Sequence, residues 1–298
     1  MMKERAREPR LQRIRPRNRR TLRTYRTATN KQAAMADTSF GIMCASGSPA
    51  IAEAVAASGV DWLCIDAQHG PITYDTLGNI LAACSSHKAK VIVRVGGPTD
   101  KFGIQQALDL GAHGVMVPLV NSRADAEMAV SHCLFPPQGQ RSVAYPVRAV
   151  YHKGVGGPGL SRYLKEANSE VEVWLQVETK SCFESMDEVL SVPGITSAFL
   201  GPCDLGITYG YHVSNDYDIG AMIASKELSH VYDDVLQACE KYKITPGVFC
   251  IGEARAAELA SKGFKYVAYD TDLGAMMAYT SGVQARLKPA AATKEHVH

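Results

Sequence analysis

Eight short β-branched runs, each followed by a stretch of helical patterning, constrain this 298-residue chain more than any other feature. From Thr38 onward strand and helix alternate eight times, which predicts an α/β fold closed as a (β/α)8 barrel. The strands are read at Phe40–Cys44, Asp61–Ile65, Lys90–Val95, Gly114–Pro118, Glu172–Val177, Ser197–Gly201, Thr245–Cys250 and Tyr266–Asp270. Each has an apolar centre, as strands covered on both faces require. Helices are read at Pro49–Ala57, Tyr74–Ser85, Ser122–Cys133, Cys182–Leu190, Ala221–Tyr242, Ile251–Lys262 and Leu273–Leu287, with Ser181 and Asp272 as N-caps and Gly59 and Gly263 as terminating glycines. A doubly wound open sheet is the alternative, but no strand leads into G-x-G-x-x-G and there is no P-loop. The segment Phe135–Ser169 is too rich in Pro and Gly to be one helix. As an insertion after a barrel strand, it is expected to cover the active-site mouth.

Charge divides the chain. Residues 1–35 hold twelve of the 32 Lys and Arg but two of the 30 Asp and Glu, leaving 20 basic against 28 acidic side chains in the rest. The basic segment has too few apolar residues to offset its ordering entropy and is expected to be disordered alone, so the domain division is 1–35 as extension and 36–298 as a single catalytic barrel. Three roles fit the extension: a mitochondrial presequence, a basic arm for nucleic acid, or an upstream stretch outside the working protein, in which case Met35 starts the mature chain. The acidic body argues against nucleic acid as a partner. No run of eighteen uncharged apolar residues exists, so no membrane span is expected. The eight cysteines are scattered, without C-x-x-C, and read as reduced, buried thiols of a cytoplasmic protein, or a mitochondrial one if the basic segment is a presequence.

In a parallel barrel the chemistry sits where strands finish. Four strands finish in polar groups: Asp66-Ala67-Gln68-His69 after the second, Arg94 in the third, Gln176-Val177-Glu178 in the fifth, and Gly201-Pro202-Cys203-Asp204 after the sixth. Glu178 and Asp204 stand at the ends of neighbouring strands. Two facing carboxylates raise each other's pKa unless a cation intervenes, and two hard oxygen ligands with open positions suit octahedral Mg2+, or Mn2+ or Co2+. Capping a helix or pairing with a lysine is the alternative for each. Arg94 needs an anion at its end of the barrel: a ligand oxygen, or a salt bridge to Asp66 or Glu178. His69, beside Asp66, can move protons at neutral pH. No G-x-S-x-G elbow, catalytic Cys–His pair or strand-end lysine for a Schiff base is present, so carbanion chemistry needs a chelated metal as its electron sink.

Seven pieces in order resemble the HpcH/HpaI family of metal-dependent class II pyruvate aldolases, within the aldolase and citrate lyase superfamily that includes 2,4-dihydroxyhept-2-enedioate aldolases. They are Gly59–Trp62 leading to Asp66–Pro71, Val93–Val95, Ala107–Ala112, Met116–Pro118, Phe135–Arg141, Gln176–Glu178 and Gly201–Leu205. The resemblance covers about residues 38–287 and implies a barrel of the phosphoenolpyruvate/pyruvate-domain type. It implies Glu178 and Asp204 as metal ligands, His69 as acid/base, and Arg94 as the stabiliser of the enolate. It further implies Gln176 and the backbone N–H groups of Cys203 and Asp204 as substrate contacts. Asp109 from a neighbouring subunit would raise the basicity of His69, which implies a homo-oligomer, a trimer or hexamer with exchanged last helices. Gln68 stands where many relatives carry Glu, and Gly96-Gly97-Pro98 where many have a proline and an aromatic.

The expected activity is cleavage of a 4-hydroxy-2-keto acid to pyruvate and an aldehyde through a metal-stabilised pyruvate enolate. Macrophomate synthase resembles this group too, so oxaloacetate decarboxylation by the same core is the alternative. A citrate-lyase-like enzyme acting on CoA thioesters is a further alternative, though no adenine-accommodating basic surface or C-terminal lid is identifiable. The alternative outside enzymes is a nucleic-acid-binding protein working through its basic segment.

Overall fold

The structure, a computed structural model, describes residues 35–154 and 156–288; the basic segment up to residue 34 lies outside them. The strands are β1 Ser39–Cys44, β2 Trp62–Asp66, β3 Lys90–Arg94, β4 Gly114–Val117, β5 Glu172–Val177, β6 Ser197–Leu200, β7 Thr245–Phe249 and β8 Tyr266–Thr271. They close in sequence order into a parallel barrel, β8 pairing with β1. The main helices are α1 Pro49–Ala57, α2 Tyr74–Cys84, α3 Lys101–Asp109, α4 Arg123–Cys133, α5 Gly156–Glu170, α6 Pro202–Thr208, α7 Val231–Tyr242, α8 Glu253–Lys262 and α9 Asp272–Leu287. None of the described helices is long and apolar enough to cross a membrane.

The period of two along each strand separates the interior from the helix layer. One set, including Met43, Trp62, Cys64, Ile92, Met116, Trp174, Phe199 and Ala268, forms a core of its own. The intervening residues, such as Leu63, Ile65, Val91, Val93, Val115 and Leu175, join a second core with the helices. Large rings fill the barrel, with Trp62 and Trp174 in edge contact at 5.0 Å. Glycines make the room for them, since a Cβ on Gly247 would sit 2.4 Å from the Phe199 ring. Where the strands begin, Glu172 pairs with Lys90 and accepts from Trp174 Nε1 at 2.7 Å. The same inward set therefore meets Asp66, Arg94 and Gln176 where the strands finish.

Four local expectations are corrected. The read helix Cys182–Leu190 is two short helices, Lys180–Glu184 and Met186–Leu190, and its cap is Thr179, whose Oγ1 accepts from Cys182 N at 3.1 Å, not Ser181. The read helix Ala221–Tyr242 breaks into Ile219–Ile223, Lys226–Ser229 and α7, because Ser225 adopts extended backbone between the first two. Thr271 rather than Asp272 caps α9; Asp272 is buried and instead accepts from the amides of Ala45 and Ser46 at the end of β1. The fourth is the Phe135–Ser169 segment, which follows α4 rather than a strand. Since α4 has already carried the chain back along the barrel, this excursion packs where β4 and β5 begin, opposite the active-site mouth. Its turn-rich first part holds the short helix Arg148–Tyr151 and its second part is α5, fifteen residues long. Phe135, Ala149, Val150, Tyr163 and Ala167 give it a small core.

Helix α9 is different from the others. Asp272 is its only buried residue, and Met277 and Tyr279 are 65% and 72% exposed. It touches its own barrel mainly through β1 and β8.

Candidate active site

Strand register builds the site. Asp66 and Arg94 are partners across the β2–β3 ladder and share the inward face, so their side chains meet. Arg94 donates from Nε to Asp66 Oδ1 at 2.9 Å and from Nη2 to Oδ2 at 2.7 Å, a bidentate pair. The same Oδ1 accepts from the amides of Gln68 and His69 at 3.2 Å each, fixing the turn that carries the histidine. Burial disfavours the Asp66 carboxylate, but the hydrogen bonds and charge of Arg94 outweigh it and hold Asp66 below the ordinary aspartate value. Among the described residues Arg94 Nη1 reaches only Gln176 Oε1, at 3.5 Å, and keeps donor capacity for another oxygen.

Glu178 lies just past β5 and is 2% exposed. Its Oε1 accepts from Leu119 N at 2.8 Å, with Leu119 held in the left-handed region (φ 57°). No hydrogen bond to Oε2 occurs among the described residues. Gly201 faces that oxygen, and a Cβ there would come within 3.1 Å of it. Burial first, and then the Asp204 charge, push Glu178 above the ordinary glutamate value against the pull of Leu119 N and Arg94. Asp204 sits exposed in the first turn of α6, following Gly201. It caps nothing and pairs with no lysine among the described residues. Two carboxylates, one of them buried with an unengaged oxygen, form a hard-oxygen donor pair that fits a divalent ion. No third His, Cys, Asp or Glu clusters with them among the described residues, so any remaining ligands would be water or substrate.

His69 is exposed at the same end of the barrel. The amides of Cys203 and Asp204 belong to the first turn of α6, where N–H groups have no intrahelical acceptor. Gln68 keeps its Oε1 buried without a hydrogen-bond partner among the described residues.

Asp66, Arg94, Gln176, Glu178, Cys203 and Asp204 thus gather at one end, with His69. Asp109 does not join them within one chain. It closes α3, roughly a helix length of 1.5 Å per residue back along the barrel. There it accepts from Arg141 Nη2 and Gln105 Nε2, each at 2.8 Å. Arg141 is buried at 2% side-chain exposure and Asp109 at 12%. Asp109→Ala leaves that guanidinium uncompensated and is expected to cost roughly 3–5 kcal/mol in denaturant unfolding; a loss below about 1 kcal/mol, the value of an exposed pair, contradicts it.

Sequence reasoning missed the Leu119 amide and the Gly201 gap. A backbone donor carries no side-chain signal, and the positive φ falls on a leucine, where only glycine would have marked it.

The family model described as HpcH/HpaI aldolase/citrate lyase matches residues 39–278. The chain belongs to this family. Among curated relatives of this HpcH/HpaI member, the 2-dehydro-3,6-dideoxy-6-sulfogluconate aldolase of Pseudomonas putida is 33% identical over 84% of this chain and 92% of its own length. The 2-keto-3-deoxy-L-rhamnonate aldolase of Salmonella paratyphi B is 30% identical over 84% and 88%. The crystal structure of an HpcH/HpaI aldolase/citrate lyase family protein from Burkholderia cenocepacia J2315 superposes with a TM-score of 0.75 at 28% identity, covering 87% of this chain and 99% of that one. The HpcH/HpaI chain is an enzyme of the carbon–carbon lyase class, in the company of aldolases.

Proposed function

We propose that the chain is a divalent-metal-dependent aldolase that cleaves a 4-hydroxy-2-keto acid to pyruvate and an aldehyde. The observation that carries the reading is the buried Glu178 carboxylate, one oxygen of which has no hydrogen bond among the described residues, within electrostatic reach of Asp204 and of the clamped guanidinium of Arg94 at the strand ends. The names of the two curated relatives both specify a 2-keto (2-dehydro), 3-deoxy sugar acid as substrate, which supports this substrate class. Glu178 and Asp204 would hold the ion, Mg2+ or Mn2+ or Co2+, which when bound supplies Lewis-acid polarisation of the 2-keto oxygen.

The chain's own groups supply the rest. His69 takes the proton of the 4-hydroxyl as the C3–C4 bond breaks and C4 departs as the aldehyde. The electron pair of that bond moves toward the C2 oxygen, where Arg94 Nη1 meets the developing negative charge. Gln176 and the amides of Cys203 and Asp204 hold the acid's carboxylate and fix the plane in which the bond must break. Protonation of C3 then gives pyruvate.

His69→Ala is expected to bind the divalent ion as the parent does while kcat falls about 10²–10⁴-fold, the usual worth of a positioned acid/base. Pyruvate release from a panel of 4-hydroxy-2-keto acids and oxaloacetate, with and without chelator, tests the reading. Chelator-resistant release from every acid overturns it, and release from oxaloacetate alone replaces cleavage with decarboxylation.

The working form is a homo-oligomer, trimer or hexamer, in which a neighbouring copy brings Asp109 to His69. The exposed apolar side chains of α9, Met276, Met277 and Tyr279 among them, support exchange of that helix between copies. Met276→Glu with Met277→Glu is expected to reduce the mass measured by light scattering to that of one chain and to lower activity with it. An unchanged mass removes α9 from the interface.

A further inference from the structure

We propose that Asp272 is a positioning residue for His69, acting through the backbone loop between β1 and α1. The inference deepens the aldolase reading and rests on its use of His69 as the acid/base.

Strand order sets the geometry. β1 lies between β8 and β2, with Met43 level with Thr271 and Cys44 level with Ile65. The loop that follows β1 therefore runs between the start of α9 and the turn bearing His69. Asp272 holds it from the β8 side. This side chain is buried, its Oδ1 accepting from Ala45 N at 2.9 Å and its Oδ2 from Ser46 N at 3.2 Å. Oδ1 also accepts from Leu273 N at 2.8 Å, which fixes the carboxylate on its own helix while it grips the loop. Capping α9 does not require it, since Thr271 Oγ1 accepts from Gly274 N at 2.9 Å.

On its other side the loop packs against the residues that follow His69. A Cβ on Gly70 would stand 3.0 Å from Ala45 O and would also strike Asp66 O, and one on Gly47 would stand 3.1 Å from Pro71 O. The turn is thus wedged between Asp66 and the loop. Gly47 has φ 66°, in the left-handed region, which directs the loop toward Pro71. His69 itself has one hydrogen bond among the described residues, from its amide to Asp66 Oδ1 at 3.2 Å. Its ring stands where the backbone of the turn puts it, and Asp66 and the loop held by Asp272 are the two walls of that turn. Removing the acceptor leaves the Ala45 and Ser46 amides to find other partners, and the loop moves with them. A small displacement of an acid/base costs up to about a hundredfold in rate.

The test uses the full chain with Mg2+ and compares the parent with Asp272→Asn, Gly47→Ala and His69→Ala, and with each of the first two combined with His69→Ala. Asp272→Asn keeps the shape of the side chain and offers one oxygen where the aspartate offers two. Gly47→Ala disturbs the same loop from its other face, and carries the test if thermal unfolding shows that Asp272→Asn is not folded. Turnover of a 4-hydroxy-2-keto acid is read together with the His69 ring signal in NMR spectra, identified by its absence from His69→Ala. The expected result is a shifted His69 signal and a kcat lower by about 10–100-fold, with KM and Mg2+ affinity unchanged. Each double variant should be no slower than His69→Ala alone, because the loop acts only through that ring. Double variants slowed by the product of the two losses, or a His69 signal and kcat equal to the parent's, overturn the proposal. Full turnover in His69→Ala is a separate failure, which removes His69 from the chemistry; the ring signal in Asp272→Asn then decides alone whether Asp272 places that side chain.

Discussion

Glu178→Gln is expected to abolish metal-dependent pyruvate release while leaving the metal-free protein at least as stable as its parent at neutral pH. On the proposed reading the loss follows from replacing one of the two carboxylates that would hold the ion. Several kcal/mol of transition-state stabilisation disappear with it, about a thousandfold or more in rate. The stability half follows from linkage. Burial and the Asp204 charge raise the Glu178 pKa in the folded chain, so between the unfolded value, about 4.3, and the raised folded value the native state binds more protons than the unfolded state. Stability in that window falls as pH rises, and above it the buried, ionised carboxylate opposes folding in full. Glutamine has no charge to bury. Melting curves without metal should place Glu178→Gln at or above the parent at neutral pH, with the difference vanishing near and below the unfolded value. Added Mn2+ should raise the melting temperature of the parent and not of the variant. A variant that melts well below its parent at neutral pH would show that Glu178 serves the fold, and the loss of activity would then say nothing about a metal.

The barrel was legible because its strands are buried on both sides and so read as apolar runs, and because the helices between them carry ordinary caps and periodicity. The polar residues at the strand ends were legible for the converse reason: Arg94 follows Val91-Ile92-Val93, and a charge closing an apolar strand needs an explanation. The sequence leaves open whether a ligand oxygen, Asp66 or Glu178 answers Arg94. The β2–β3 register decides the partner within the chain, since Asp66 and Arg94 are direct cross-strand neighbours and β4 separates Arg94 from β5. Register is a relation between segments distant in sequence, and neither segment alone contains it. The excursion was assigned to the wrong end because its place depends on whether a helix or a strand precedes it; α4 intervenes. Asp109 shows a third limit. Its motif was recognisable, but its partner in this chain, Arg141, lies 32 residues away across the fold, and the role assigned to it needs a second copy.

Arg94→Lys should lower kcat by about 10²–10³, the usual loss when one donor to a developing oxyanion is removed, although the charge is kept. The reason is the fork. Arg94 spends Nε and Nη2 on Asp66, at 2.9 and 2.7 Å, and that pair aims the remaining nitrogen past Gln176. A lysine ammonium can bond to Asp66 or reach the substrate, and it has no plane to hold it in the second position while making the first. Asp66→Asn should approach the same loss by a different route: the fork loses its charged acceptor, and the turn bearing Gln68 and His69 loses the oxygen that accepts both amides. Because the two residues act as a unit, Arg94→Lys with Asp66→Asn should be about as slow as the slower single variant, not slower by the product of the two losses. Turnover of all four proteins under saturating metal measures this. Multiplicative losses would mean that Asp66 and Arg94 act separately, and Asp66 would then be a group with chemistry of its own rather than the residue that positions the arginine.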